Sequence, residues 1–267
     1  MIGRILSHIK KIIKHKEDVL NDEGNWNSYF CTRDDHDASV FLNLELIDFA
    51  PMSDKPYLHI LNITMINPRE DGLSSNDEFD ELMELEDAIE QSIKGFSTIY
   101  AGRITTNKRR NLYFYSHYKE DFQINIEKTM ALFPTYSYEM HIEEDSLWQK
   151  YEDELYPDPR QYQMIENNMV VEQLEVNGDS LEKERLVYHW IYFKDESDKK
   201  KFLEVVLDMG FEVESESHDA EEIFPYGLNI SRIDRVDYNS INTYSLDLWD
   251  IAENCNAVYD GWETSVE

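Results

Sequence analysis

The chain has 267 residues, 41% of them hydrophobic, and its 56 acidic and 25 basic residues give a formal net charge of −31 at pH 7. This size and composition exclude an intrinsically disordered chain, and they allow one large domain or two domains of ordinary size. The charge argues against nucleic acid as a direct ligand, because phosphate binding requires clustered Lys and Arg. It favours a protein partner with a basic surface, although a solvated acidic surface without a partner fits equally well.

Targeting features and cysteine spacing indicate the compartment. Cys31 and Cys255 lie far apart, in no metal-binding or redox spacing. No N-terminal apolar run precedes a small-residue cleavage site, and no apolar stretch reaches the length of about 20 residues that spans a bilayer. We therefore expect a cytoplasmic protein with free thiols and no transmembrane segment.

The chain begins with a basic amphipathic pattern. Residues 1–16 hold five Lys and Arg, no acid, and Ile and Leu at helical spacing. Such a helix can pack on the acidic body of the protein or lie on an anionic membrane surface, and we favour packing. The turn-rich residues that follow, up to position 36, are predicted to be a polar linker.

Residues 37–157 are predicted to form the first domain. A first strand, 39–47, is followed by the order strand, helix, strand, strand, helix, strand, and then by a short helix at 148–155. This order is typical of the ferredoxin-like split βαβ arrangement. The predicted elements after the first strand are 57–66, 74–94, 96–105, 111–116, 120–132 and 136–142.

Residues 158–267 are predicted to form a second domain, because Pro157 and Pro159 end any preceding element and stiffen a linker. A helix near 161–176 opens it, and the same split βαβ order follows. The predicted fold class is therefore α+β, with two ferredoxin-like domains whose antiparallel sheets carry helices on one face. The predicted elements of the repeat are 186–193, 195–208, 211–217, 227–233, 239–254 and 257–259.

Glu70 and Asp71 offer two carboxylates at a turn, and Arg103 lies in a strand predicted to be near them. Such a group can act as acid and base, or hold a divalent metal, in a small hydrolase or metal-dependent enzyme. Ordinary turn chemistry explains the same residues. Because the sequence has no zinc spacing, Gly-rich phosphate loop or nucleophile elbow, we predict no catalytic residues, no metal and no cofactor.

The strongest sequence features lie in the second domain. Trp262 can seal a sheet edge against its own domain, or it can anchor a partner, since Trp and Tyr are frequent interface anchors. His189, in a strand between Tyr188 and Trp190, is interpreted as a core residue. The predicted binding residues are Tyr226, the terminal Asp260, Gly261, Trp262 and Glu263, and the acidic Asp219, Glu221 and Glu222.

The second domain resembles the regulator of ribonuclease E activity B family. The resemblance rests on His189–Phe193, on Leu207–Val213, on Pro225–Leu228 with Arg232, and on Tyr259–Thr264. It implies a ferredoxin-like fold and a non-catalytic role in which the protein binds and inhibits a ribonuclease. From this and the charge we expect a cytoplasmic regulator of an RNA-processing enzyme that uses an acidic surface. An immunity-like protein that neutralises a basic toxin is the alternative.

The first domain is similar to the bacterial "domain of unknown function 695" family. The matching segments are Glu70–Leu73, Leu85–Asp87, Ala101–Arg103, Tyr113–Tyr115 and Phe133–Pro134. That resemblance implies a domain often joined to a regulator-type partner, and it implies no activity.

Overall fold

The computed structural model describes residues 24–94, 97–120 and 123–267, so the predicted basic helix at 1–16 lies outside the described residues. The described chain divides into two compact units, 24–157 and 158–267. Each unit is an α+β domain built on one antiparallel sheet.

The N-terminal domain contains six strands and two α-helices among its described residues. It also has a 3-10 turn at Leu44–Asp48 and a π turn at Tyr151–Leu155. The strands and helices are β1 Trp26–Arg33, β2 His36–Asn43, β3 Tyr57–Thr64, α1 Asn76–Ile93, β4 Thr98–Thr106, β5 Arg109–Ser116, α2 Gln123–Met130 and β6 Tyr138–Glu144.

The strand order of the first sheet is β1-β2-β4-β5-β3-β6. Its last four strands form the predicted ferredoxin-like unit, in which β3, α1, β4, β5, α2 and β6 follow one another along the chain. Both helices pack on one face, where apolar residues of α1 and α2 meet Leu61, Leu112 and Phe114. On the other face, Trp148 stacks on Tyr115 with ring centroids 3.9 Å apart.

The sheet is larger than the predicted one, because residues 26–33 form β1 rather than part of a polar linker. This strand pairs with β2 without a register shift, from Trp26 opposite Asn43 to Arg33 opposite His36. The strand predicted at 39–47 ends at Asn43 instead, where the side-chain Oδ1 accepts a hydrogen bond from the Glu45 amide at 3.1 Å. Such a side-chain contact caps the 3-10 turn and stops the ladder.

The C-terminal domain opens with α3, followed by the second split βαβ unit, and its strand order β10-β7-β9-β8 is again ferredoxin-like. This confirms the predicted fold class for both domains and the central place of β7. The last strand, however, runs through the terminal motif instead of ending at Tyr259. The elements are α3 Pro159–Val176, β7 Arg185–Phe193, α4 Glu196–Asp208, β8 Glu212–His218, β9 Tyr226–Asp234, α5 Tyr238–Asn254 and β10 Ala257–Glu263.

All three helices of this domain pack on the same face of the sheet. Phe202 and Val206 of α4 and Leu248 of α5 meet Ile191 and Phe193 of β7. A second apolar cluster joins α3 to the opposite end of that face, and it comprises Val171, Leu174, Leu181, Val187, Val236, Ile241, Tyr244 and Trp262. These contacts leave the other face of the sheet without a helix from residues 158–267.

Candidate functional site

The terminal motif is part of the domain core at Trp262, which is 4% exposed. Its indole Nε1 donates a hydrogen bond to Asn167 Oδ1 of α3 at 3.1 Å. A buried indole with a hydrogen-bonding partner stabilises the domain that encloses it. Of the two interpretations of Trp262, docking against its own domain therefore describes this side chain.

The neighbours of Trp262 face the other side of the sheet. A register shift between Tyr259 and Gly261 places Gly261 opposite Trp190 and Glu263 opposite Tyr188. Gly261 has a φ of 108°, a conformation that favours glycine. Asp260 is half-buried and Glu263 is exposed, so the acidic part of the motif lies at the surface.

The edge strand β8 is acidic and exposed along its whole length. It carries Glu212, Glu214 and Glu216, which were not among the predicted binding residues. The following loop adds Asp219, Glu221 and Glu222, which were. In that loop, Asp219 Oδ1 accepts from the Glu221 amide at 3.1 Å, which orders the turn while the side chains stay exposed. Residues 212–222 thus present six carboxylates and no Lys or Arg.

Tyr226 lies beside this edge, in a shallow cleft of about 380 Å³ lined by Glu196, Lys199, Glu216, Ser217, His218 and Tyr226. Lys199 forms an ion pair with Glu216. The His218 and Tyr226 rings lie 4.8 Å apart. The structure therefore brings Tyr226 together with the acidic edge, as one surface region of the C-terminal domain.

The predicted polar group of the N-terminal domain is explained by local contacts. Asp71 Oδ1 accepts from the Leu73 amide at 3.0 Å, and the carboxylate also pairs with Arg69. Glu70 is exposed. The carboxylate partner of Arg103 is Glu86, with Nη1 and Oε1 2.6 Å apart. Turn chemistry therefore accounts for Asp71, and an ion pair with another residue accounts for Arg103.

Glu86 is the centre of a buried polar cluster that the sequence analysis missed. It is 2% exposed, and its Oε2 lies 3.2 Å from Nη1 of Arg110, which is 1% exposed. Tyr100 donates to Glu86 Oε1 at 2.7 Å. On the same helix, burial and the charges of Glu86 and Asp87 raise the pKa of Glu90 to about 7. The sequence signal that could have revealed this cluster is the position of Glu86 within the apolar stripe of α1.

Three further observations concern metals, membranes and thiols. In the described part of the chain, no three His, Cys, Asp or Glu residues are grouped so as to hold a metal ion. None of the helices described here is long and apolar enough to cross a membrane. Cys31 and Cys255 are both free thiols.

The strand orders and the surface chemistry define a two-domain α+β protein in which β8, an edge strand of the C-terminal sheet, is acidic. Comparison with family models then finds a match for each domain. Residues 24–156 match the "Family of unknown function (DUF695)", and residues 164–264 match "Regulator of ribonuclease activity B". Both resemblances read from the sequence are confirmed.

Other comparisons are less informative. No curated protein matches the chain. One matching solved structure is provisionally described as a glycine cleavage system transcriptional repressor, with 11% identity, a TM-score of 0.25 and coverage of 78% of this chain and 98% of that one. Another is an unknown protein from Galdieria sulphuraria, with 6% identity, a TM-score of 0.22 and coverage of 79% and 99%. The fold assignment therefore rests on the strand orders alone.

Proposed function

We propose that this protein is a non-catalytic cytoplasmic regulator that binds an RNA-processing enzyme through the acidic surface of its C-terminal domain. The observation that carries the proposal is the exposed run of six carboxylates at residues 212–222, on a domain that matches a family of ribonuclease regulators. A surface of one charge sign speeds encounter with an oppositely charged partner and selects against wrong ones.

The electrostatic origin of the binding determines its salt dependence. Exposed charges are screened over about 8 Å at physiological ionic strength, so contacts at an exposed edge weaken as salt is added. Capture of partners by the tagged full chain is expected to fall steeply from low to high ionic strength. A ribonuclease is expected among the captured proteins by mass spectrometry, with its activity changed by the purified chain.

Matched charge variants locate the surface. Asp219→Asn, Glu221→Gln and Glu222→Gln combined remove three charges from the acidic edge region. Asp34→Asn, Asp35→Asn and Asp37→Asn remove three exposed charges from the β1–β2 hairpin of the other domain. The first variant is expected to lose partner binding, and the second to keep it. Equal capture by both variants, or capture that does not change with salt, contradicts the proposal.

A further inference from the structure

One face of the C-terminal sheet, on which none of the helices within residues 158–267 packs, presents a row of aromatic side chains. Tyr188, Trp190 and Tyr192 are half-buried and alternate along β7 with fully buried residues that face α4 and α5. Because successive strand residues point to opposite faces, the three rings lie on the face away from the helices. Exposed apolar side chains continue the row at one end, with Leu186 38% and Ile233 65% exposed.

Two of these rings lie opposite a glycine, one on each side of β7. Gly227 of β9 lies opposite Tyr192, and a Cβ added at position 227 would lie 3.3 Å from Cε1 of that ring. Gly261 of β10 lies opposite Trp190. The Tyr192 ring therefore lies against the space that a side chain at position 227 would occupy. The Tyr188 and Trp190 rings are 6.5 Å apart.

Carboxylates flank the aromatic row on both sides. Glu263 of β10 pairs directly with Tyr188. On the other side, Tyr188 pairs with Ser231 of β9, which pairs with Glu212 of β8. Glu214 also reaches this side, because its Oε1 accepts from Ser231 Oγ at 2.6 Å. In this cross-strand row, acidic residues therefore lie on both sides of the Tyr188 ring, Glu263 on one side and Glu212 on the other.

The bases of the two central strands lie on the opposite face. Arg185 belongs to the helix-facing set of β7 and is paired with the buried carboxylate of Asp179. Arg232 pairs with Val187, also helix-facing, and its guanidinium lies 4.2 Å from the centroid of the Phe211 ring. The charge on the aromatic face contributed by β7–β10 is therefore negative.

We propose that this face binds an arginine-bearing segment of a protein partner, an inference that rests on the proposed function and specifies its contact surface. Guanidinium groups stack on Trp and Tyr rings and also form planar, paired hydrogen bonds with carboxylates. The row offers both contacts side by side. Sheets of this topology also stack RNA bases on aromatic side chains, but carboxylates on both flanks would repel the phosphates.

The test uses titration calorimetry of the full chain with a synthetic peptide in which Arg alternates with Ser. A second peptide has Lys at the same positions, which keeps the charge and removes the planar group. The Arg peptide is expected to bind more tightly than the Lys peptide. Trp190→Thr with Tyr192→Thr is expected to weaken Arg-peptide binding about tenfold, because two cation–π contacts are lost.

Two controls keep the result specific. Trp190→Phe with Tyr192→Phe retains the rings and is expected to restore most of the binding, which a general folding defect would not allow. Val205→Ala with Leu207→Ala removes exposed apolar side chains from α4, on the other face, and is expected to bind like the wild type.

Several results would overturn the inference. Examples are unchanged Arg-peptide binding in the double Thr variant, equal affinity for the two peptides, and no binding of either peptide by the wild type. The inference would also be overturned if a single-stranded RNA occupied the face in place of the peptide. A second copy of the chain on this face, detected by sedimentation, would overturn it as well. If the Asp219, Glu221 and Glu222 variant loses the peptide while the double Thr variant keeps it, this face is excluded and the acidic edge still stands as the binding surface.

Discussion

His189 shows how completely the C-terminal sheet buries a titratable side chain. Its ring is enclosed by Phe211, Tyr244 and Tyr259, with centroids between 5.6 and 5.9 Å away. Nδ1 is hydrogen-bonded with the Tyr259 hydroxyl at 2.8 Å, and Nε2 has no hydrogen-bond partner among the residues that the structure describes. Burial, with a smaller contribution from the charge of Arg232, lowers the pKa of His189 to about 3. The folded domain therefore holds a neutral imidazole.

The lowered pKa of His189 predicts that the protein loses stability in mild acid. The unfolded chain binds a proton at His189 below about pH 6.5, whereas the folded chain does not until about pH 3. Stability from this group is thus complete above pH 6.5 and falls as pH falls between those values. From pH 7 to pH 5 the loss is expected to be about 2 kcal/mol in the free energy of unfolding.

Urea unfolding at several pH values measures this effect. His189→Gln is expected to flatten the dependence between pH 7 and pH 5 relative to the wild type. His141→Gln, at a side chain that is 61% exposed, provides the control and is expected to keep the wild-type slope. Identical slopes for the wild type and His189→Gln would contradict the burial argument.

At the scale of single residues, the sequence indicated which positions are special but could not decide what they do. The sequence around Trp262 fitted both docking against its own domain and binding to a partner, because a local motif does not show which element packs against the side chain. Its hydrogen-bond partner Asn167 is 95 residues away on α3. Only the packing of α3 beside β10 decides the question.

At the scale of elements, the attachment of α1 to the N-terminal sheet combines apolar packing with one buried acid. Leu82, Leu85 and Ile89 form the apolar stripe. Glu86 lies within this stripe and contacts the guanidinium groups of Arg103 and Arg110 from two strands. Burial lowers the pKa of Arg110, but the Glu86 carboxylate opposes that effect. One carboxylate thus compensates two cations beneath the helix.

Glu86→Gln is therefore expected to destabilise the N-terminal domain by about 3 kcal/mol or more, because it removes the carboxylate that pairs with the buried Arg110 and the partly buried Arg103. Glu84→Gln, an exposed position on the same helix, removes the same charge and is expected to change stability by less than about 0.5 kcal/mol. Thermal or urea unfolding followed by circular dichroism gives both values. A cost for Glu86→Gln no larger than that of the control would show that the cluster contributes little.

The order of elements was predictable because it depends on local periodicity. Helical spacing in α1, α4 and α5 and alternation in β3 and β7 gave both split βαβ units. β1 was missed because only Tyr29 of its eight residues is fully buried, which leaves a pattern close to that of a polar linker. The cluster at Glu86 was missed because its partners come together through strand register, 17 and 24 residues further along the chain.

At the scale of the whole molecule, the two domains have separate hydrophobic cores. The cluster under α1 and α2 lies entirely within residues 61–136, whereas the clusters of the C-terminal domain lie within residues 171–262. Domains with their own cores can unfold as separate cooperative units, in which case a core substitution affects mainly its own unit.

This separation predicts domain-specific effects of two core substitutions. Trp262→Ala is expected to destabilise the C-terminal domain by about 3–5 kcal/mol, because it removes a buried indole together with its hydrogen bond to Asn167. Glu86→Gln is expected to act on the N-terminal domain. Hydrogen exchange with peptide-level resolution measures the two separately: faster exchange should be confined to β7–β10 in the first variant and to β3–β6 in the second. Faster exchange in both sheets of either variant would mean that the domains unfold as one unit. The partner binding proposed for the C-terminal face would then depend on the stability of the N-terminal domain.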